Sequence, residues 1–323
     1  MIVARRLRCL IQSFPATGAV QGSQNFHRWV MPTLKTLNNR MKKMGPQDPA
    51  PRNTFAEWNY DAELYAFGQR LQENFDRDAL KQALLDESFI LEQELQQKEV
   101  GIEPGLEIQD NSKMSIEGDR LIQLYVEQYL CSTLPKLPKK YISNIKAHLV
   151  SDEMLAYIAK ELGMGDLIQC ADYPIKEAVL ARSFKSVIQA LAVSSGEDKA
   201  CALIRDLVVA QLVGQDLTKF SMPDDPMEEL KNHLRANGQE APEPRLISAI
   251  GKNTILASYD VGIYSNKVMV GRGFGESAEM AQSMACCDAL WRAWDVGPRR
   301  KPLPFKLELL PLAKFAASSP TTP

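Results

Sequence analysis

The chain has 323 residues, 45% of them hydrophobic and 24% charged, an ordinary globular composition with room for two packed cores. No apolar run approaches the roughly eighteen residues of a membrane-spanning helix. The six cysteines show no paired C-x-x-C spacing, which argues against a disulfide frame or a zinc site and for buried thiols.

The formal charge of −2 hides an uneven distribution. Residues 1–47 hold eight Lys or Arg and no acid, residues 296–323 hold five basic residues and one acid, and residues 48–295 carry 25 basic and 39 acidic residues. Basic arms on an acidic body are a footprint of polyanion binding, because each cation laid on a phosphate releases counterions. The plainer reading is a pair of solubilising tails.

In chain order, residues 1–50 begin with Arg5, Arg6 and Arg8 among Ile2, Val3, Leu7, Leu10 and Ile11. This pattern predicts a mitochondrial transit peptide, running into a basic, Pro-containing linker through Gly45, Pro46, Pro49 and Pro51. The first periodic segment is expected near Trp58. Residues 58–215 repeat apolar positions at three and four and predict an all-helical domain. Ser221 to Pro226 breaks it. Residues 222–295 then predict a helix from Pro226 to about Leu234, strands near Leu246–Ile250, Ile255–Ile263 and Val268–Val270, and a hairpin turn at Ser265 and Asn266. A last helix, capped by Ser277, runs to about Trp294. Its Met280, Met284, Cys287 and Leu290 are expected in the core. Residues 296–323 form a basic, Pro-rich tail, expected to be extended. The fold class is α + β.

Three segments carry a resemblance. Leu71, Phe75, Leu80, Ala83, Leu84 and Ser88 are similar to the first helices of the ribonuclease III domain. Asn111 to Ile122, NSKMSIEGDRLI, matches that family's N-E-R-L-E-F-L-G-D-A-V-L. Ala181 to Ala190, ARSFKSVIQA, matches A-D-x-F-E-A-x-I-G-A. The family gathers carboxylates around Mg²⁺ to activate water and stabilise the scissile phosphate. Carried over, those positions are Ser112, Ser115, Asp119, Arg182 and Lys185. One carboxylate remains and two positions have reversed sign, so the resemblance implies a fold without its metal, its cofactor or its catalysis. Glu117 is expected on a different helix face from Asp119. Arg182 and Lys185, three apart, could each reach Asp119, and one of them is expected to fill the metal's space.

Residues 225–294 resemble the double-stranded-RNA-binding domain in element order and in Pro226, Leu230, Gly238, Pro242, Gly271, Gly273 and Ala281. That family grips A-form RNA by shape across two minor grooves. Its lysines at the start of the last helix fall here on Ala278, Glu279, Met280, Ala281 and Gln282. The remaining RNA-binding candidates are Lys231, Arg235, Lys252, Lys267 and Arg272, with Arg299, Arg300 and Lys301 in the tail.

Together these features resemble the ribonuclease III-related ribosomal proteins of the mitochondrial large subunit. The resemblance implies a structural, non-enzymatic role in the mitochondrial matrix. The partners it implies are ribosomal RNA, neighbouring large-subunit proteins, and a second chain paired dimer-like through the helical domain. The alternatives are a mitochondrial double-stranded-RNA endonuclease and a free RNA-maturation factor.

Overall fold

A computed structural model describes residues 23–45, 52–55, 57–99, 101, 109–252, 254, 256–297, 302–305, 307 and 312. The chain divides into two units, residues 1–50 and 51–323. The first contains helix α1, Ser23–Met44, in a stretch where no periodic element was expected before Trp58. Leu34, Leu37, Met41 and Met44 recur at three and four along it and are exposed. Lys42 and Lys43 in its last turn meet the negative end of the helix dipole. The acid-free, basic composition predicts an import and linker segment here, but helical structure persists through Pro32 and the clustered cations. The amino-terminal residues on which the transit-peptide expectation rests most heavily lie outside the described residues.

The second unit begins with helices α2 (Tyr60–Leu71), α3 (Arg77–Ala83), α4 (Glu87–Glu99), α5 (Ser112–Thr133), α6 (Lys139–Leu149), α7 (Asp152–Glu161), α8 (Glu177–Ser195) and α9 (Glu197–Leu207). Starts are set locally: Asn59, Asp76 and Ser151 each accept a backbone N–H of the first turn. The core is built on the crossing of α5 and α8, where Ile122, Val126 and Tyr129 meet Phe184, Val187 and Ile188 in one buried cluster. Gly118 makes the crossing possible. A Cβ there would stand 1.9 Å from the Lys185 carbonyl oxygen, so only hydrogen fits between the backbones.

Next come α10 (Pro226–Ala236), β1 (Glu243–Ile250), β2 (Ser258–Ser265), β3 (Val268–Gly275) and α11 (Ala278–Ala293). The strands form an antiparallel sheet in the order β1-β2-β3. The hairpin turn is Asn266–Lys267, one residue later than expected, and both residues have positive φ, the conformation a two-residue hairpin requires. β3 also runs further than Val270, through Gly271, Gly273 and Gly275. These glycines read as weak strand formers, yet they are what lets α11 lie on the sheet: a Cβ on Gly271 or Gly273 would come within 2.3 Å of α11 backbone. The matching face of α11 is Ala281, Ala285 and Ala289, all buried. Of the four residues of this helix expected in the core, Cys287 and Leu290 are buried and Met284 is half-buried. The expectation is corrected at Met280, which is exposed, and small residues make the contact with the sheet.

One hydrophobic cluster runs through both halves of this unit. The Tyr141 ring on α6 lies 5.0 Å from that of Trp294, and its hydroxyl donates to Glu229 at 2.6 Å. Trp291 Nε1 donates to the Ser221 carbonyl at 3.1 Å. Burial, then the neighbouring Glu229, push the Tyr141 phenol well above its usual range, so it stays a donor. The described tail residues also pack: Leu303, Leu307 and Leu312 touch the core, and Tyr129 donates to the Pro304 carbonyl at 3.0 Å.

Candidate functional site

Ser112, Ser115 and Asp119 lie at spacings of three and four on α5 and so share a face. Arg182 and Lys185 lie on α8, whose backbone reaches α5 at Gly118. Lys185 Nζ is 3.2 Å from Asp119 Oδ1 and 2.9 Å from Asp152 Oδ1 on α7. Its side chain is 18% exposed. Burial alone would depress the ammonium, but the hydrogen bonds and charges of the two aspartates outweigh it, and the net shift is upward. Asp119 also accepts from Gln123 Nε2 at 2.6 Å.

Arg182 does not reach Asp119. Its Nη1 lies 3.4 Å from Oδ1 of Asp86, which is 4% exposed and whose other oxygen accepts from the Ser88 backbone and hydroxyl. Asp86 was missed because no local pattern links it to Arg182, 96 residues away in the sequence. Ser112 Oγ donates to Asp110 and Ser115 Oγ to the Ser112 carbonyl at 2.8 Å. Asn111 is fully buried, with Nδ2 directed to the Ala83 carbonyl and Ser183 Oγ. Glu117 accepts from Gln189 Nε2 at 2.7 Å. It therefore does reach α8, but on the other side of the Gly118 crossing from Asp119.

This donor set does not fit a hard divalent cation, which takes oxygen ligands and above all carboxylates. Two hydroxyls are turned to their own helix or its entry, one carboxylate is taken by an ammonium, and an arginine stands at a further position. Among the described residues, no three His, Cys, Asp or Glu side chains gather closely enough to hold a metal. A cavity of about 500 Å³ does lie nearby, lined by Tyr157, Tyr173, Ile175 and Leu180, but none of the five central residues lines it.

The RNA-binding candidates do not converge. Lys231 and Arg235 are exposed on α10, Lys252 follows β1, and Lys267 sits in the hairpin at the opposite end of the sheet. Arg272 is committed to Asp260 by two hydrogen bonds. Arg299, Arg300 and Lys301 lie outside the described residues. Of the cysteines expected to be buried, Cys286 and Cys287 are, whereas Cys131, Cys170 and Cys201 are half-buried. Burial pushes the Cys201 thiol up to about 12 and those of Cys286 and Cys287 to about 11, so these three stay protonated at neutral pH.

Residues 59–191 match the family model described as large ribosomal subunit protein mL44, endonuclease domain, and residues 222–321 match the MRPL44 dsRNA-binding domain. The large ribosomal subunit protein mL44 of Caenorhabditis elegans is 33% identical over 273 residues, 83% of this chain and 68% of that protein. The chain belongs to the mL44 family of large ribosomal subunit proteins. The mL44 endonuclease-domain match contains all five residues of the α5–α8 centre, and the dsRNA-binding match continues through the tail that packs on Tyr129. Ribonuclease 3 of Enterococcus faecalis is 26% identical over 223 residues, 67% of this chain and 90% of that enzyme. Among solved structures, the nuclease domain of ribonuclease III from Campylobacter jejuni is 23% identical, with a TM-score of 0.39 over 47% of this chain and 96% of that one.

Proposed function

We propose that the chain is a structural constituent of the mitochondrial large ribosomal subunit, bound to ribosomal RNA and neighbouring proteins, and that its nuclease-like domain cleaves nothing. Family membership supports the ribosomal role. The observation that carries the non-enzymatic part is Lys185, whose ammonium bridges Asp119 and Asp152 where the resemblance would place a metal. A metal-dependent nuclease needs its cation to activate water and to meet charge on the phosphate. A lysine locked between two carboxylates has no lone pair to activate water, and the ion that would do so has no ligand set.

The segments divide on this reading into an import and linker region over 1–50, the inactive helical domain over 58–215, the RNA-binding-like domain over 222–295 and the tail over 296–323. The basic candidates Lys231, Arg235, Lys252 and Lys267, with Arg299, Arg300 and Lys301, would supply phosphate contacts, and the tail anchors partly on protein. The purified full chain, incubated with double-stranded RNA and Mg²⁺, is expected to leave the RNA intact. Mg²⁺-dependent cleavage that Asp119→Asn abolishes would contradict the non-enzymatic part and leave family membership untouched.

A further inference from the structure

The sheet has one covered face and one open face. α11 lies over Gly271, Gly273 and Gly275, and their cross-strand partners Val261 and Ile263 on the same face are buried. The alternate positions point the other way. Ile250 is 70% exposed there, Phe274 59%, Ile247 46% and Met269 41%. Gly262 lets this face close on itself: a Cβ there would stand 2.9 Å from Ile247 Cδ1 and 3.1 Å from the Tyr264 ring, so both side chains fold over the strand.

The charges on the open face are matched in pairs. Arg272 donates to both oxygens of Asp260, at 3.0 and 2.7 Å, and its guanidinium lies 5.1 Å from the Phe274 ring centre. Arg245 Nη2 is 2.8 Å from Glu243, and its guanidinium lies 5.4 Å from the Tyr264 ring centre. The Arg272 guanidinium holds the Asp260 carboxyl below its usual range, so that pair stays ionised and neutral overall.

We propose that this open sheet face is a protein-docking surface, which seats an uncharged, apolar segment of a neighbouring polypeptide in the assembled subunit. The proposal rests on the ribosomal reading above. Charge decides between protein and RNA. An RNA backbone brings one negative charge per nucleotide and gains from cations that have only counterions to lose. Here both arginines already hold carboxylates, which a phosphate would have to displace. An apolar segment meets no unmatched charge, and it removes from water the large side chains whose clustering on one face marks an interaction surface. The exposed cations Lys231 and Arg235 are on α10, which packs against α11 on the covered side. RNA contact there and protein contact on the open face can therefore coexist.

The test is site-specific photo-crosslinking in the full-length chain, with p-benzoylphenylalanine replacing Phe274 in one variant and Ile250 in a second. After irradiation in cells, large subunits are isolated at high salt, which first asks whether the chain is there at all. The expected result is an adduct that survives ribonuclease and migrates as a discrete heavier polypeptide. An adduct that ribonuclease removes, or subunits that contain the chain and show no adduct from either position, would overturn the proposal. A chain missing from the subunits would overturn the ribosomal reading and the proposal with it. In parallel, the Phe274→Asp, Ile250→Asp variant should incorporate about tenfold less well with an unchanged near-ultraviolet circular dichroism spectrum. Normal incorporation of this variant would equally count against the docking face.

Discussion

Lys185 holds Asp119 and Asp152 with most of its side chain out of solvent. Removing it strands two carboxylates beside a packed helix crossing, so Lys185→Met should lower stability by about 1–3 kcal/mol, less than a fully buried pair because Asp152 is exposed. The sign with pH follows from the raised lysine pKa. The contribution is complete below the unfolded lysine value of about 10.4 and fades as pH rises through the higher folded value. Urea midpoints of the two proteins should therefore differ by a constant amount between neutral and mildly alkaline pH and converge only at stronger alkali. A gap that widens with pH would contradict this. The partnership was legible in the sequence because Asp119 and Lys185 sit in two recognisable segments whose spacing the fold inherits. The Arg182–Asp86 pair was not, since Asp86, though inside the first matched stretch, is not one of the residues that carry the resemblance, and its partner is 96 residues away.

Elements met by backbone contact are the ones that tolerate least. Gly118→Ala places a methyl on the Lys185 carbonyl, and neither helix backbone can yield without parting α5 from α8. Thermal unfolding should show a loss of about 3 kcal/mol or more, whereas Gly165→Ala, with open space around it, should cost under about 1 kcal/mol. Equal effects at the two sites would refute the close-approach explanation. Element type was readable throughout the second unit because periods of 3.6 and 2 differ plainly. Element ends and faces were less so. β3 was cut short because its glycines carry no strand signal by themselves, and the buried face of α11, right at Cys287 and Leu290, was wrong at Met280 because a methionine looks more like core than an alanine does until the opposing glycines are known. α1 was overlooked because five cations and no acid read as an import and linker signal, which hid the apolar spacing of Leu34, Leu37, Met41 and Met44.

At the scale of the whole molecule, the helical and RNA-binding-like domains are joined through Tyr141, Glu229, Trp291 and Trp294 into one continuous core. Trp294 is 2% exposed, and Trp294→Ala should cost about 3–5 kcal/mol and uncouple the domains, turning one calorimetric transition into two. A wild-type chain that already melts in two steps over residues 51–323 would contradict a shared core. The order of the two domains was legible from three motif segments and a helix–strand–helix pattern, but their docking was not, because Tyr141 and the tryptophans meet across long sequence separations that no periodicity records. The central claim, that this fold serves as a ribosomal constituent, is tested most directly by sedimenting mitochondrial lysate through a sucrose gradient at high salt and locating the chain. Comigration with the large subunit is the predicted result, and a light peak free of ribosomal RNA would contradict it.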